Sequence, residues 1–95
     1  QALAALPAVV GACAKAWGVS PSEIGGGSRR RPAAQARAAL SYVAVTSLGL
    51  GASAVARAMG VTPAVVLRGV IRGPQLLGAR RLDPIQLLPS QKTKV

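Results

Sequence analysis

Arg29, Arg30 and Arg31 stand in a run between a glycine-rich stretch and Pro32, Arg37 follows shortly after, and Arg68 and Arg72 recur four apart in LRGVIRG. A guanidinium stays charged in proteins and presents paired planar donors, so arginines in such runs and spacings suit the recognition of phosphate or carboxylate. Catalytic chemistry has far less to work with. The chain has no histidine, a lone cysteine at Cys13, and only Glu23 and Asp83 as carboxylates. A paired general acid and base, a thiol with an imidazole partner, or a metal cage of several ligands cannot be assembled from that set. No enzymatic activity, cofactor or metal is expected.

Twelve Lys and Arg against two acids leave a formal charge of +10, and that much like charge opposes a compact state unless an anion neutralises it. Nucleic acid is the expected polyanion. A membrane surface is the rival, but the arginines fall in a turn and on a short helix rather than along one face of a long amphipathic one. No uninterrupted apolar run of about 18 residues is present either. The N-terminal alanines look like a secretory apolar run, yet no basic segment precedes them and Pro7 and Lys15 interrupt it. Cys13 cannot form an internal disulfide and reads as a small core residue in a reducing, cytoplasmic compartment.

The length suits one domain with a single core, expected over residues 1–80, with 81–95 as a basic, proline-containing and partly mobile tail whose last five residues, QKTKV, are expected to move freely. Because Gln1 rather than methionine opens the chain, a fragment or processed product of a larger polypeptide is expected.

The elements that must position the arginines centre on the stretch from Gly49 to Arg72. A helix beginning after Gly51 places Val55 and Met59 on one face with Ala52 and Ala56 beside them. Gly60 can take the left-handed conformation that ends it. Thr62 then offers a capping side chain and Pro63 a preset φ for the first position of a new helix. Two helices joined by a short glycine turn have helix-turn-helix spacing, in which the second helix enters the major groove of DNA. That helix turns Val65, Arg68 and Arg72 outward. Its inward row is either Val66 and Val70 or Leu67 and Ile71, all apolar. The competing reading is an ordinary helical hairpin inside a larger bundle.

Upstream, Pro7 to Trp17 reads as a helix with Val9 or Val10, Cys13 and Trp17 inward, Pro7 in its first turn and Gly18 at its end. Trp17 closes one end of the core, with base stacking as its other use. Ser20, Pro21 and Glu23 fit a capping box, giving Glu23 a structural role. GGGSRRRP, residues 25 to 32, reads as a loop reaching to a phosphate backbone or a minor groove, or else as a solvated linker. A long helix from Pro32 to Gly49 follows, with Ala36, Leu40, Val43, Ala44 and Leu48 inward. Arg37 lies off that stripe, either near a phosphate or solvated. After Arg72, Gly73 and Pro74 predict a break or kink, and Asp83 and Pro84 a final capped turn carrying Ile85, Leu87 and Leu88.

With these elements in order, AKAWGVSPSEI, SRRRP with Arg37, ALSYVAV and SAVARAMG resemble the C-terminal DNA-binding domain of the bacterial replication initiator DnaA, over about two-thirds of the chain. The resemblance implies an all-α fold, a small helical bundle containing a helix-turn-helix of the DnaA C-terminal and Trp-repressor kind. It also implies duplex DNA as partner, with the arginine loop in the minor groove. Where that family has G-G-R-D-H-T-T-V, this chain has Gly60 to Leu67, so Thr62, Pro63 and Ala64 replace its arginine, aspartate and histidine. The pattern SRRRP…AR…YVAV…LGL…VAR..GV[ST]P…V…R is closer to the DnaA-like domain appended to REP-associated tyrosine transposases. Together these make Arg29, Arg30, Arg31, Arg37, Thr62, Ala64, Val65, Arg68 and Arg72 the candidate DNA contacts of a nucleoid-associated module. The alternative is a helical protein-interaction domain whose basic face binds an acidic partner.

Overall fold

A computed structural model describes residues 2–27 and 29–89 of the chain, and among these the regular structure is entirely helical. Six α-helices follow in order: α1 Ala2–Trp17, α2 Pro21–Ile24, α3 Arg31–Tyr42, α4 Ala52–Met59, α5 Pro63–Ala79 and α6 Pro84–Leu87. A 3-10 turn over Gly25–Gly27 precedes α3, and a π-helical turn over Val43–Ser47 extends it.

The α1 helix starts a turn and more before the expected Pro7 and carries that proline inside. Pro7 removes one intrahelical hydrogen bond, to the carbonyl of Leu3. Both residues are exposed, so the interruption lies where water can serve the carbonyl. Burial of Leu6, Val9, Cys13 and Trp17 along the other side holds the helix together across it, and Val9, not Val10, is the fully buried valine. Gly18, at φ 67, then ends the helix.

The bundle is organised on α3. Its alanines are buried nearly all round, and it makes the most extensive contact in the molecule with α5 and the next with α1. Two glycines on α5 allow this. A Cβ at Gly69 would lie 2.8 Å from Ser41 Cβ and 3.0 Å from Ala38 Cα, and one at Gly73 would lie 2.3 Å from Tyr42 Cβ. No side chain fits between backbones so close. The pair Gly69 and Gly73, four apart, is therefore a helix-contact signal, and it explains why α5 does not break at Gly73 and Pro74 as expected. The helix runs through both to Ala79, with Pro74 on its exposed side. Ser41, buried against Gly69, returns its hydroxyl to the Arg37 carbonyl at 2.9 Å, which satisfies its donor locally.

The remaining core is one cluster in which Ile24, Leu40, Val43, Val55, Met59, Val66, Leu77 and Leu87 join the α1 residues. Trp17 closes its edge. Its Nε1 donates to Gln35 Oε1 at 3.1 Å, the Arg80 guanidinium lies 4.6 Å from its ring centroid, and it is 5% exposed, which leaves no face for a base. Arg80 also donates to the Ala16 carbonyl. Past Arg81, Asp83 accepts from the Ile85 amide while Gln86 Oε1 accepts from the Asp83 amide, a reciprocal cap on α6. Leu87 lies in the core, so the first part of the expected tail is anchored. The mobility expected of QKTKV concerns residues outside those described.

Candidate functional site

Between α4 and α5 the chain bends by 107°. Gly60 sits at φ 68 and Val61 donates to the Ala56 carbonyl at 3.0 Å, the paired closure of a helix that ends on a left-handed residue. Thr62 Oγ1 then accepts from the Val65 amide at 3.3 Å, and Pro63 opens α5. The turn expected from Gly60, Thr62 and Pro63 is present residue for residue.

The rotation of α5, open between two apolar rows in the sequence, is decided by Gly69 and Gly73. With those glycines against α3, Val66 is fully buried and Val70 partly so, while Leu67 is 52% and Ile71 79% exposed. The outer face of α5 therefore carries Ala64, Leu67, Arg68, Ile71 and Arg72. Thr62 is also exposed at its start, but Val65 is half-buried and lines the groove between α3 and α5 rather than the outermost ridge. Leu67 and Ile71 are the exposed residues of this candidate face that the sequence left undecided. The signal that could have found them was the glycine pair.

The upstream arginines divide. Arg29 is exposed in the connection before α3, and Arg31 is already the first residue of that helix, also exposed. Arg30, at the helix N-cap, is ion-paired with Glu23. Glu23 is thus not the reciprocal partner of Ser20: Ser20 makes no side-chain cap, and its hydroxyl lies 3.0 Å from that of Ser22. The glycines expected to be part of a loose arginine loop form a 3-10 turn instead, with Gly26 at φ 77. That expectation shrinks to a short basic connection.

Arg37 corrects the expectation most. It is 7% exposed, its Nε donates to the Ile24 carbonyl at 2.7 Å, and Nη2 donates to the Glu23 carbonyl at 3.0 Å. Those carbonyls end α2, a helix too short to satisfy them internally, and the negative end of a helix favours a cation there. Burial lowers the Arg37 pKa from the ordinary arginine value, but a guanidinium keeps its proton in proteins. Arg37 braces α2 on α3, reaching the surface only as part of a groove wall shared with Ala34, Ala38, Val65, Arg68, Gly69 and Arg72.

Burial pushes the Cys13 thiol up to about 12, which leaves it protonated and unreactive at neutral pH. Among the described residues no group of three or more His, Cys, Asp or Glu side chains converges, and no single helix is long and apolar enough to cross a membrane. Comparison of the chain with protein families, with curated proteins and with solved structures found no match.

Proposed function

We propose that this chain is a double-stranded DNA-binding module in which α4 and α5 act as a helix-turn-helix, α5 facing the major groove and Arg29 and Arg31 reaching the flanking backbone or minor groove. The observation that carries the reading is the outer face of α5. It holds Arg68 and Arg72 together, exposed, on a domain of net charge +10 whose acids are both engaged elsewhere, Glu23 with Arg30 and Asp83 in the cap of α6. Phosphates on both sides of a groove suit such a face. Within a larger polypeptide the module would serve to target a transposase-related or replication-initiator-related protein to the nucleoid.

A bidentate contact to guanine is the alternative use of Arg68, exclusive of a phosphate contact, while Leu67 and Ile71 offer apolar contact to thymine methyls. One bidentate pair discriminates by roughly 1 to 3 kcal/mol, which limits preference for any site over random duplex to about a hundredfold. The same exposed leucine and isoleucine support a second reading, a surface for an acidic and apolar protein segment. Band shifts with unrelated duplexes, challenged by an acidic protein competitor, separate the two. With Arg29 and Arg31 each on a phosphate and Arg68 and Arg72 together on a third, log affinity should fall against log salt with a slope near ~−2.7. A flat slope, or release by the competitor but not by a second duplex, sinks the DNA reading.

A further inference from the structure

The groove between the first half of α3 and the edge of α5 has a volume of about 180 Å³. It runs beside the seam where Gly69 packs closely on Ala38 and Ser41, with Ala34 and Ala38 on one side and Val65 and Gly69 on the other. Arg68 and Arg72 stand at its rim, and Arg37, more than nine-tenths buried, forms part of its wall, while no carboxylate lines it. Arg37 is fixed in place by the Ile24 and Glu23 carbonyls, so that part of the site is organised before any ligand arrives.

We propose that this groove binds one phosphate group, held between the Arg68 and Arg72 guanidinium groups against the wall that Arg37 provides. The volume is below the roughly 300 Å³ at which pockets begin to enclose drug-sized ligands and is ample for a tetrahedral oxyanion. Planar guanidinium forks match phosphate oxygens in pairs. The proposal rests on the reading of α5 as the DNA-facing helix for the source of that phosphate, a backbone phosphodiester. A contact of this kind would set the register of α5 on one strand without reading sequence. A free phosphate would meet the same chemistry.

Ala34→Leu tests the groove without altering charge. Ala34 is half-buried and helical, and leucine is a good helix former. Two measurements are made on wild type and variant: anisotropy with a random-sequence duplex across a salt series, and thermal melting in inorganic phosphate against chloride at matched ionic strength. A backbone phosphate predicts that Ala34→Leu weakens duplex binding about tenfold, as loss of one charged hydrogen-bonded contact should, and reduces the salt slope by about 0.9. A free phosphate predicts unchanged duplex binding and loss of the phosphate-specific stabilisation; the groove assignment then stands with a different source. A folded variant equal to wild type in both measurements overturns the site even where duplex binding is strong. Wild type that binds no duplex yet is stabilised by phosphate removes the DNA reading alone. Should Ala34→Leu fail to fold, NMR spectra resolving the arginine Nε–H groups of the wild type during phosphate titration decide: selective shifts at Arg68 and Arg72 support the site, and uniform shifts across exposed arginines overturn it.

Discussion

Arg37 and Arg68 are the same side chain on adjoining helices, both lining one groove, and they serve opposite ends. Around Arg37 the chain has just ended a four-residue helix, and the carbonyls of Glu23 and Ile24 at its end accept from the guanidinium. Around Arg68 the carbonyls belong to a long helix whose ladder engages them, that of Val70 opposite Pro74 excepted. One arginine is drawn in by backbone that needs a donor; the other stays out because nothing inside asks for it. Arginine spacing alone therefore does not mark a binding surface. What marks it is the state of the backbone within reach.

The largest effect that can break this comparison is on folding. Arg37→Met removes two hydrogen bonds from a charged donor to main-chain carbonyls, at about 1.5–3 kcal/mol each, so a stability loss of about 3 kcal/mol is expected in urea denaturation. Arg68→Gln, on the surface, should stay within about 0.5 kcal/mol. Equal stability of the two variants would end the distinction.

Next comes binding. Arg68→Gln with Arg72→Gln should cost about a hundredfold in duplex affinity and lower the salt slope by about 0.9 for the phosphate they share, measured by anisotropy, with folding intact by circular dichroism. Unaltered binding would place the duplex on another face.

The α3–α5 seam that separates the two environments gives a smaller effect. Gly73→Ala should destabilise by about 2 kcal/mol through overpacking against Tyr42. Gly78→Ala, in the same helix with open space around it, should stabilise by about 0.5–1 kcal/mol from helix propensity. Opposite signs in chemical denaturation are the expected result, and a matching sign would refute the close-contact account.

The smallest effect sharpens the role of Leu67 and Ile71. Replacing thymine by uracil in a bound duplex removes only methyl groups, each worth about 0.8 kcal/mol when covered, so affinity should fall about fourfold per contacted base. No change would leave these side chains without a reading role.

The parts of the site legible in the sequence were those governed by local backbone rules. Gly60, Thr62 and Pro63 needed no tertiary information, because left-handed φ, a capping hydroxyl and a preset φ act within one turn of chain. The Asp83 cap was readable for the same reason. The rotation of α5 was not, because Val66, Leu67, Val70 and Ile71 are all apolar and periodicity cannot choose between two adjacent rows. Gly73 and Pro74 misled in the other direction. A glycine before a proline usually marks a stop, and here the loss of one ladder bond is offset by packing that only glycine permits. Arg37 was unreadable for a third reason: its partners are main-chain atoms, and carbonyls left over by a short helix have no signature in residue types.

The glycine seam also bears on the thermodynamics of association. Since α5 is seated on α3 through backbone contact in the free protein, little chain remains to be ordered when a duplex arrives. Calorimetry should then show a modest negative heat-capacity change, set by the desolvation of Leu67 and Ile71, rather than the large one that accompanies coupled folding. A van't Hoff plot of the affinity would be nearly straight, and the magnitude of that affinity would be governed by the ionic atmosphere of the nucleic acid.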